Sequence, residues 1–312
     1  MKVLVTGSGG LVGSSIKNLV KEYNTTNEFI FLTRKDGDLR IYDNVFNLFK
    51  KYNPDVVIHL ASLVAGLYGN MENNYKYYVD NIKININILE CCNIFETKRL
   101  INILSTCIFP DKNVTYPLTC DQILIGPPHY SNEGYAYAKR ILYTGSKLLS
   151  KTKNIEIVNL IPTNLYGFND NYNLKNAHVI PGLIHKTYLS DNLLVIKGDG
   201  KAKRQFLYAD DFSKIILNFV EIELKCNFES LIISPSAKEE ISIKELVNKI
   251  CNYLNYNKKI IYDIEYDNGQ MLKTTNNSDV LKYFPNFKFT NLDDGLKKTI
   301  TYFVNNYDNI RK

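Results

Sequence analysis

No Cys-x-x-Cys pair occurs in these 312 residues, and the four histidines, at 59, 129, 178 and 185, are scattered. The spacing therefore suggests neither a metal site nor a disulfide framework. The six cysteines, at 91, 92, 107, 120, 226 and 251, fit a reducing compartment. No run of five basic residues exists either. The excess of 38 Lys+Arg over 32 Asp+Glu, +6, is spread along the whole chain and is too dilute to argue for a nucleic-acid partner. Long hydrophobic runs are also missing: the longest nearly apolar stretch, Val56 to Gly69, is too short for a bilayer and carries His59. Met1-Lys2 leads straight into a strand-like run and a glycine turn at Gly7, with no room for a signal peptide, so a cytoplasmic protein without membrane contact is expected. With 45% hydrophobic residues there is ample apolar surface to bury, which excludes disorder as the main state.

Arginine is scarce, 6 residues against 32 lysines, while asparagine appears 38 times. Drift in coding composition explains this bias, so Asn-rich patches such as 169–173 are not read as linkers. The converse is useful. An arginine that persists in a lysine-rich background marks a place where a planar, bidentate cation is wanted.

What is present is an alternation of two periods. Lys2–Thr6, Phe29–Thr33, Asp55–Leu60, Arg99–Ser105 and Ile155–Ile161 read as short, apolar strands. Leu11–Tyr23, a segment around Val45–Phe49, Glu72–Thr97 and Tyr135–Lys151 read as helices between them. Strand–helix alternation at this spacing implies an α/β protein with a doubly wound parallel sheet. After Pro162 the regularity breaks. Helices are expected at His178–Tyr188, Ile243–Leu254 and Asn291–Val304, and short strands at Leu193–Ile196 and Leu231–Ser234. The expected division is a nucleotide-binding domain over residues 1–165 and a smaller, mainly substrate-binding α/β lobe over 166–312. A segment near 204–220 returns to the first domain.

The first strand runs into Thr6-Gly7-Ser8-Gly9-Gly10-Leu11-Val12-Gly13 and then a helix. Gly7, Gly10 and Gly13 form a G-x-x-G-x-x-G pattern in the strand–turn–helix context that a dinucleotide site requires. The turn lets backbone approach a pyrophosphate, and the helix N-terminus favours its charge. After the second strand comes Thr33-Arg34-Lys35, with no acid until Asp36. Arg34 there favours NADPH over NADH, since it suits a 2′-phosphate, although a solvated charged turn would read the same way. Asp38 or Leu39 is expected beside the adenine.

Tyr-x-x-x-Lys occurs twice, at Tyr135/Lys139 and Tyr143/Lys147, and 23 tyrosines with 32 lysines produce such pairs by chance. Position decides between them. Tyr135 opens a helix that follows the strand ending in Ser105, where the ligand crevice of a doubly wound sheet lies; Tyr143 is two turns deeper. A lysine one turn away is expected to lower the tyrosine's pKa, and the Ser105 hydroxyl to hold a carbonyl oxygen.

With these residues the chain resembles the extended short-chain dehydrogenase/reductase superfamily, whose Rossmann-like fold agrees with the alternation above. Ser105-Thr106-Cys107-Ile108-Phe109-Pro110, Gly126-Pro127-Pro128-His129, Ile161–Gly167, His178-Val179-Ile180-Pro181, Arg204-Gln205-Phe206 and Asp267-Asn268-Gly269-Gln270 with Lys273-Thr274 are more narrowly similar to the GDP-L-fucose synthase family. That resemblance runs nearly end to end. It implies NADP(H)-dependent 3,5-epimerisation and 4-reduction of a GDP-linked 4-keto-6-deoxy sugar. It implies Cys107 and His178 as the proton-transfer pair, beside Ser105, Tyr135 and Lys139. It also implies cofactor contacts at Leu11, Val12, Ala61, Pro162, Asn164, Leu165 and His178, and nucleotide-sugar contacts at Lys186, Lys197, Arg204 and Lys273. Lys197 departs from the family, where tryptophan commonly precedes the Gly-x-Gly of residues 198–200; this chain has no tryptophan. A homodimer built on the helices around 75–95 and 135–149 is implied as well. The rivals are an epimerase/reductase of a UDP- or dTDP-linked, rhamnose-type sugar and a non-catalytic NADP(H)-sensing protein. The Cys107 and His178 blocks favour the fucose reading.

Overall fold

The structure, a computed structural model, describes residues 1–22 and 25–312. In chain order the first half contains β1 (Lys2–Thr6), α1 (Leu11–Glu22), β2 (Glu28–Phe31), α2 (Tyr42–Tyr52), β3 (Val56–His59), α3 (Leu67–Glu72), α4 (Asn74–Ile94), β4 (Arg99–Ile103), α5 (Glu133–Thr152) and β5 (Glu156–Pro162). The second half contains β6 (Asn164–Tyr166), α6 (Val179–Leu189), β7 (Leu193–Lys197), β8 (Lys203–Arg204), β9 (Phe206–Tyr208), α7 (Ala209–Glu221), β10 (Phe228–Ile233), β11 (Ile241–Ser242), α8 (Ile243–Tyr253), β12 (Lys259–Asp263), α9 (Ser278–Tyr283) and α10 (Leu292–Asn305).

Six strands form one all-parallel sheet in the order β10-β5-β4-β3-β1-β2. β3 and β4 are buried along their whole length and β1 beyond Lys2, because helices cover both faces. One buried cluster packs α2, α4 and α5 on one face, around Phe49, Ile88 and Leu142. A second packs α1, α7 and α9 on the other, around Ile16, Phe212 and Val280. This is the Rossmann-like, doubly wound arrangement expected from the sequence. The remaining strands form three two-stranded pairs, β6 with β9, β8 with β11 and β7 with β12. A third cluster, centred on Tyr172, Ile184, Leu246 and Phe303, holds this second region together.

Helix α1 is described to Glu22; Tyr23, its expected end, lies outside the described residues. Three elements depart from the sequence reading in ways that bear on the site. The segment expected as one helix from Glu72 to Thr97 is two, α3 and α4, broken at Asn73. Sequence periodicity misses this break because Asn73-Asn74 is as polar as the flanking turns. The strand expected at Leu231–Ser234 in the smaller lobe is β10, the edge strand of the main sheet beside β5. The return segment therefore reaches to Ile233: α7 is the crossover, and a right-handed crossover delivers the next strand into the same sheet. Finally, β4 stops at Ile103, two residues before Ser105.

Candidate active site

The glycine loop is shaped by close backbone approach. Gly7 has φ +67°, and a Cβ there would lie 2.8 Å from the Ala61 nitrogen. A Cβ on Gly13 would collide with the Ser8 backbone, so this glycine lets α1 start against the loop. Ala61 is held by its N–H donating to Thr6 Oγ1 at 3.1 Å. At Gly9, by contrast, a Cβ would meet nothing within 4 Å, so the loop is open on its outer side. The N–H groups of Leu11, Val12 and Gly13, in the first turn of α1, come at the helix end where no intrahelical acceptor exists. Loop and helix thus form a cradle of the size and polarity that a pyrophosphate needs.

Past β2, the first acid is not available to a ribose. Asp36 Oδ2 accepts from Thr33 N at 2.7 Å and from Thr33 Oγ1 at 2.9 Å. Those bonds hold its carboxyl below the usual range. Asp38 is paired with Arg40 at 2.6 Å, and that contact holds it at about 2. The Leu39 carbonyl accepts from Asn87 Nδ2 at 2.9 Å. Arg34 is exposed and makes no ion pair among the described residues. The donor set fits a dinucleotide with a 2′-phosphate better than one with a free 2′-hydroxyl. Pro162 ends β5 in the interior, Leu165 lies in β6, and the Asn164 amide donates to Gln205 O at 2.9 Å.

At the reacting end, Ser105 is extended, but Thr106–Ile108 turn into a 3-10 helix. Ser105 and Cys107 are therefore joined by a turn and not by continued strand: Ser105 Oγ caps it by accepting Cys107 N–H at 3.2 Å. Its own proton stays free for donation. Tyr135 and Lys139 lie on one buried face of α5. Lys139 Nζ donates to Ile103 O at 2.7 Å and stands 5.8 Å from the Tyr135 ring centre. The expected lowering of Tyr135 is not found. Burial pushes its hydroxyl well above the ordinary value, with Cys107 adding to the rise and Ser62 opposing it. Burial also lowers Lys139 to about 7. In this enclosed site desolvation sets the direction of both shifts. Tyr143, the rival tyrosine, packs edge-on against Phe228 in the core, and its partner Lys147 is exposed.

Around Cys107 the structure gathers donors. Asn132 Nδ2 donates to Cys107 Sγ at 2.9 Å and Lys273 Nζ approaches it at 3.6 Å. Arg204 shares this corner: Cys107 acts on its charge, and Gly269 approaches its Nη2. Burial lowers Lys273, and Cys107 partly offsets that. His178 is the residue before α6 and spends no side-chain bond on capping it. A Cβ on Gly66 would collide with Ala177 O, and Gly66 N donates to Asn176 O at 3.0 Å. The loop after β3 is thereby locked against the turn that carries His178. His178 is exposed at the surface, yet the surrounding protein desolvates its ring enough to lower its pKa.

The profile of the NAD dependent epimerase/dehydratase family matches residues 3–224. A GDP-L-fucose synthase of Dictyostelium discoideum is 40% identical over 99% of this chain and 97% of its own length. The crystal structure of a GDP-L-fucose synthetase from Naegleria fowleri bound to NADP superposes with a TM-score of 0.91 at 38% identity, covering 100% of this chain and 95% of that one. The chain belongs to the NAD dependent epimerase/dehydratase family, in its GDP-L-fucose synthase branch.

As a member of that branch, the protein has a second cationic corner. Burial lowers Lys186, and the charge of Lys197 adds to the lowering. Lys197, the departure from the branch, is exposed but clasped. Its ammonium lies 4.1 Å from the Tyr68 ring centre and 4.4 Å from that of Tyr266. A cation over two tyrosine faces keeps the aromatic character of the position without a tryptophan. The structure thus places Lys273 and Arg204 beside Cys107, and Lys186 and Lys197 in a separate pair. Sequence reasoning missed Asn132, which reads as an ordinary helix cap. It also missed Arg140, whose Nε and Nη1 hold Ile108 O and Gly126 O at 2.7 Å each. Its only signal was being one of six arginines.

Proposed function

We propose that this protein converts GDP-4-keto-6-deoxy-D-mannose to GDP-L-fucose by two epimerisations and one reduction at a single site. The observation that carries this reading is the meeting of Ser105, Cys107, Tyr135 and Lys139 at the C-terminal end of β4, with Cys107 under Lys273 and Arg204. A plain ketoreductase needs no thiol there. The relatives named above support the same substrate.

NADPH, when bound, supplies the hydride that reduces the 4-keto group. Gly7, Gly10, Leu11, Val12 and Gly13 hold its pyrophosphate, and Arg34 its 2′-phosphate. Asp38, Leu39, Ala61, Pro162, Asn164, Leu165 and His178 complete that site, with Tyr135 and Lys139. Cys107 removes a proton from the carbon beside the ketone, and His178 returns one on the opposite face, which is what inverting a centre requires. Tyr135, which burial keeps protonated, gives its proton to the 4-oxygen while Ser105 holds that oxygen in line. Arg204, Lys186, Lys197 and Lys273 bind the nucleotide sugar, Arg204 forking onto the diphosphate. Residues 1–165 supply the cofactor domain and 166–312 mainly the substrate lobe.

The described residues contain no helix long and apolar enough to cross a membrane. We place the protein in the cytoplasm as a homodimer. Tyr75, Tyr78 and Ile86 on α4 and Tyr137 on α5 are exposed beside one groove between the two helices, the face that would pair with a second copy.

The test is a product assay with NADPH and the GDP-, UDP- and dTDP-linked 4-keto-6-deoxy sugars, followed by NMR in D₂O. Cys107→Ser is expected to lose deuterium incorporation at the carbons flanking the ketone while still oxidising NADPH slowly. Wild-type exchange in that variant would take the proton-transfer role away from Cys107, whereas no exchange in the wild type would reduce the protein to a simple 4-ketoreductase.

A further inference from the structure

We propose that Asn132 is a positioning residue for epimerisation, holding the Cys107 sulfur as a hydrogen-bond acceptor with Lys273 as its charge partner. The proposal rests on the proton-transfer role given to Cys107 above. Asn132 is the residue before α5, where an asparagine normally turns its side-chain oxygen onto the N–H groups of the first turn. Here it makes no such bond. The service comes from outside: Asn74 Oδ1, at the start of α4, accepts Gly134 N–H at 2.7 Å, and Asn74 Nδ2 donates to Tyr130 O at 3.0 Å. Relieved of capping, Asn132 directs Nδ2 to the sulfur at 2.9 Å. Its Oδ1 is left buried without a partner in a residue only 9% exposed. An unpaired buried acceptor costs stability. Such a cost, accepted at a residue freed from capping, marks a constraint other than folding.

The constraint is legible in the chemistry of the contacts. An amide NH₂ and an ammonium are donors only, whereas a neutral thiol is a weak acceptor and a thiolate a strong one. The two donors around Cys107 therefore suit a sulfur that carries negative charge before it takes a proton. The titratable groups facing it are Lys273, Arg204 and Tyr135. Asn132 and Tyr135 lie three residues apart, so one helix start presents the hydroxyl used in reduction and the amide that aims the base.

The experiment follows the rate of Cys107 alkylation by iodoacetamide, read by peptide mass spectrometry on the NADPH-bound protein. Asn132→Ser restores a capping side chain that cannot reach the sulfur. Asn132→Asp keeps the shape and replaces the donor with a carboxylate. Near pH 7, alkylation is expected to slow about tenfold in Asn132→Ser and further in Asn132→Asp. Near pH 10, where thiols ionise unaided, the rates are expected to converge with wild type. Deuterium exchange at the sugar carbons falls in parallel, with NADPH affinity as the folding control. Wild-type alkylation near pH 7 in Asn132→Ser, or a loss equal at both pH values, overturns the proposal. Exchange that survives in Cys107→Ser would instead sink the proton-transfer reading, and the alkylation result would stand apart from it.

Discussion

Arg99 and Arg140 show what two of the six arginines do. Arg99 forks onto Glu156 and also reaches Phe219 O at 2.7 Å, joining β4, β5 and α7. Arg140 joins the Cys107 turn to the Gly126 loop. Lysine, a point donor on a flexible stem, could not make either fork. Arg34 differs in making no hydrogen bond or ion pair among the described residues, as suits a ligand-binding cation. Arg34→Ala is expected to weaken NADPH binding about tenfold or more and NADH little, in titrations with each cofactor. Equal losses would assign Arg34 to the surface alone. Lys139 is the opposite case, a lysine kept in the interior at a cost. Its folded-state pKa of about 7 lies below its ordinary value, so the unfolded chain binds more protons from about pH 7 to 10. The burial penalty is full below that window and is relieved as pH rises through it. Lys139→Met should therefore raise the urea midpoint at pH 6 and raise it less at pH 9, the two differing by about 2 kcal/mol of stability, while NADPH oxidation is lost.

Between elements, the loops at the sheet's C-terminal edge are tied by a buried polar chain. Thr6 Oγ1 accepts the N–H groups of Leu60 and Ala61, so its own proton goes to His59 Nδ1, 3.0 Å away. That leaves His59 Nε2 as the donor to Asn85 Oδ1 at 3.1 Å, and Asn85 Nδ2 donates to Ala138 O at 3.0 Å. The glycine loop of β1, the end of β3, α4 and the Lys139 turn of α5 are thereby fixed in one register. The chain of bonds requires a neutral imidazole, and burial brings His59 to about 3. The sign follows: its contribution is complete above pH 6.5 and is lost as pH falls toward 3, because the unfolded chain takes up the proton first. Between pH 6.5 and 5, urea unfolding of wild type should lose about 1–2 kcal/mol more than that of His59→Gln. Parallel losses would show that the ring is not the acid-sensitive link.

For the whole molecule, Gln205 is one tie between the second region and the main sheet. Gln205 is buried, donates to Pro235 O, Ser236 O and Thr275 O, and accepts from Thr275. It thereby fixes Lys273 and Arg204 relative to β5 and β10. The face along α4 and α5 carries the exposed apolar groups that support pairing with a second copy. Ile86→Lys is expected to give a monomer by sedimentation velocity where the wild type sediments as a dimer. A wild-type monomer at micromolar concentration would end that proposal.

Local pattern determined much of this protein. Short apolar strands alternating with amphipathic helices admit little besides a parallel doubly wound sheet, and a glycine turn between strand and helix can be read because its neighbours are contiguous. The placing of Ser105, Tyr135 and Lys139 at the sheet's edge was legible for the same reason: strand end and helix start lie on one crossover. Tertiary structure alone decided the rest. The strand Phe228–Ile233 reads the same whether it belongs to a lobe or to the main sheet, and only the crossover through α7 assigns it. Asn132 looks like a cap until Asn74, nearly sixty residues earlier, takes over the capping. The direction of the Tyr135 and Lys139 shifts depends on how much water the fold removes, and no residue spacing records that. Lys273 meets Cys107 across 166 residues of sequence because the chain folds back over the sheet's edge. Such meetings are made by burial of distant surfaces, and local sequence carries no trace of them.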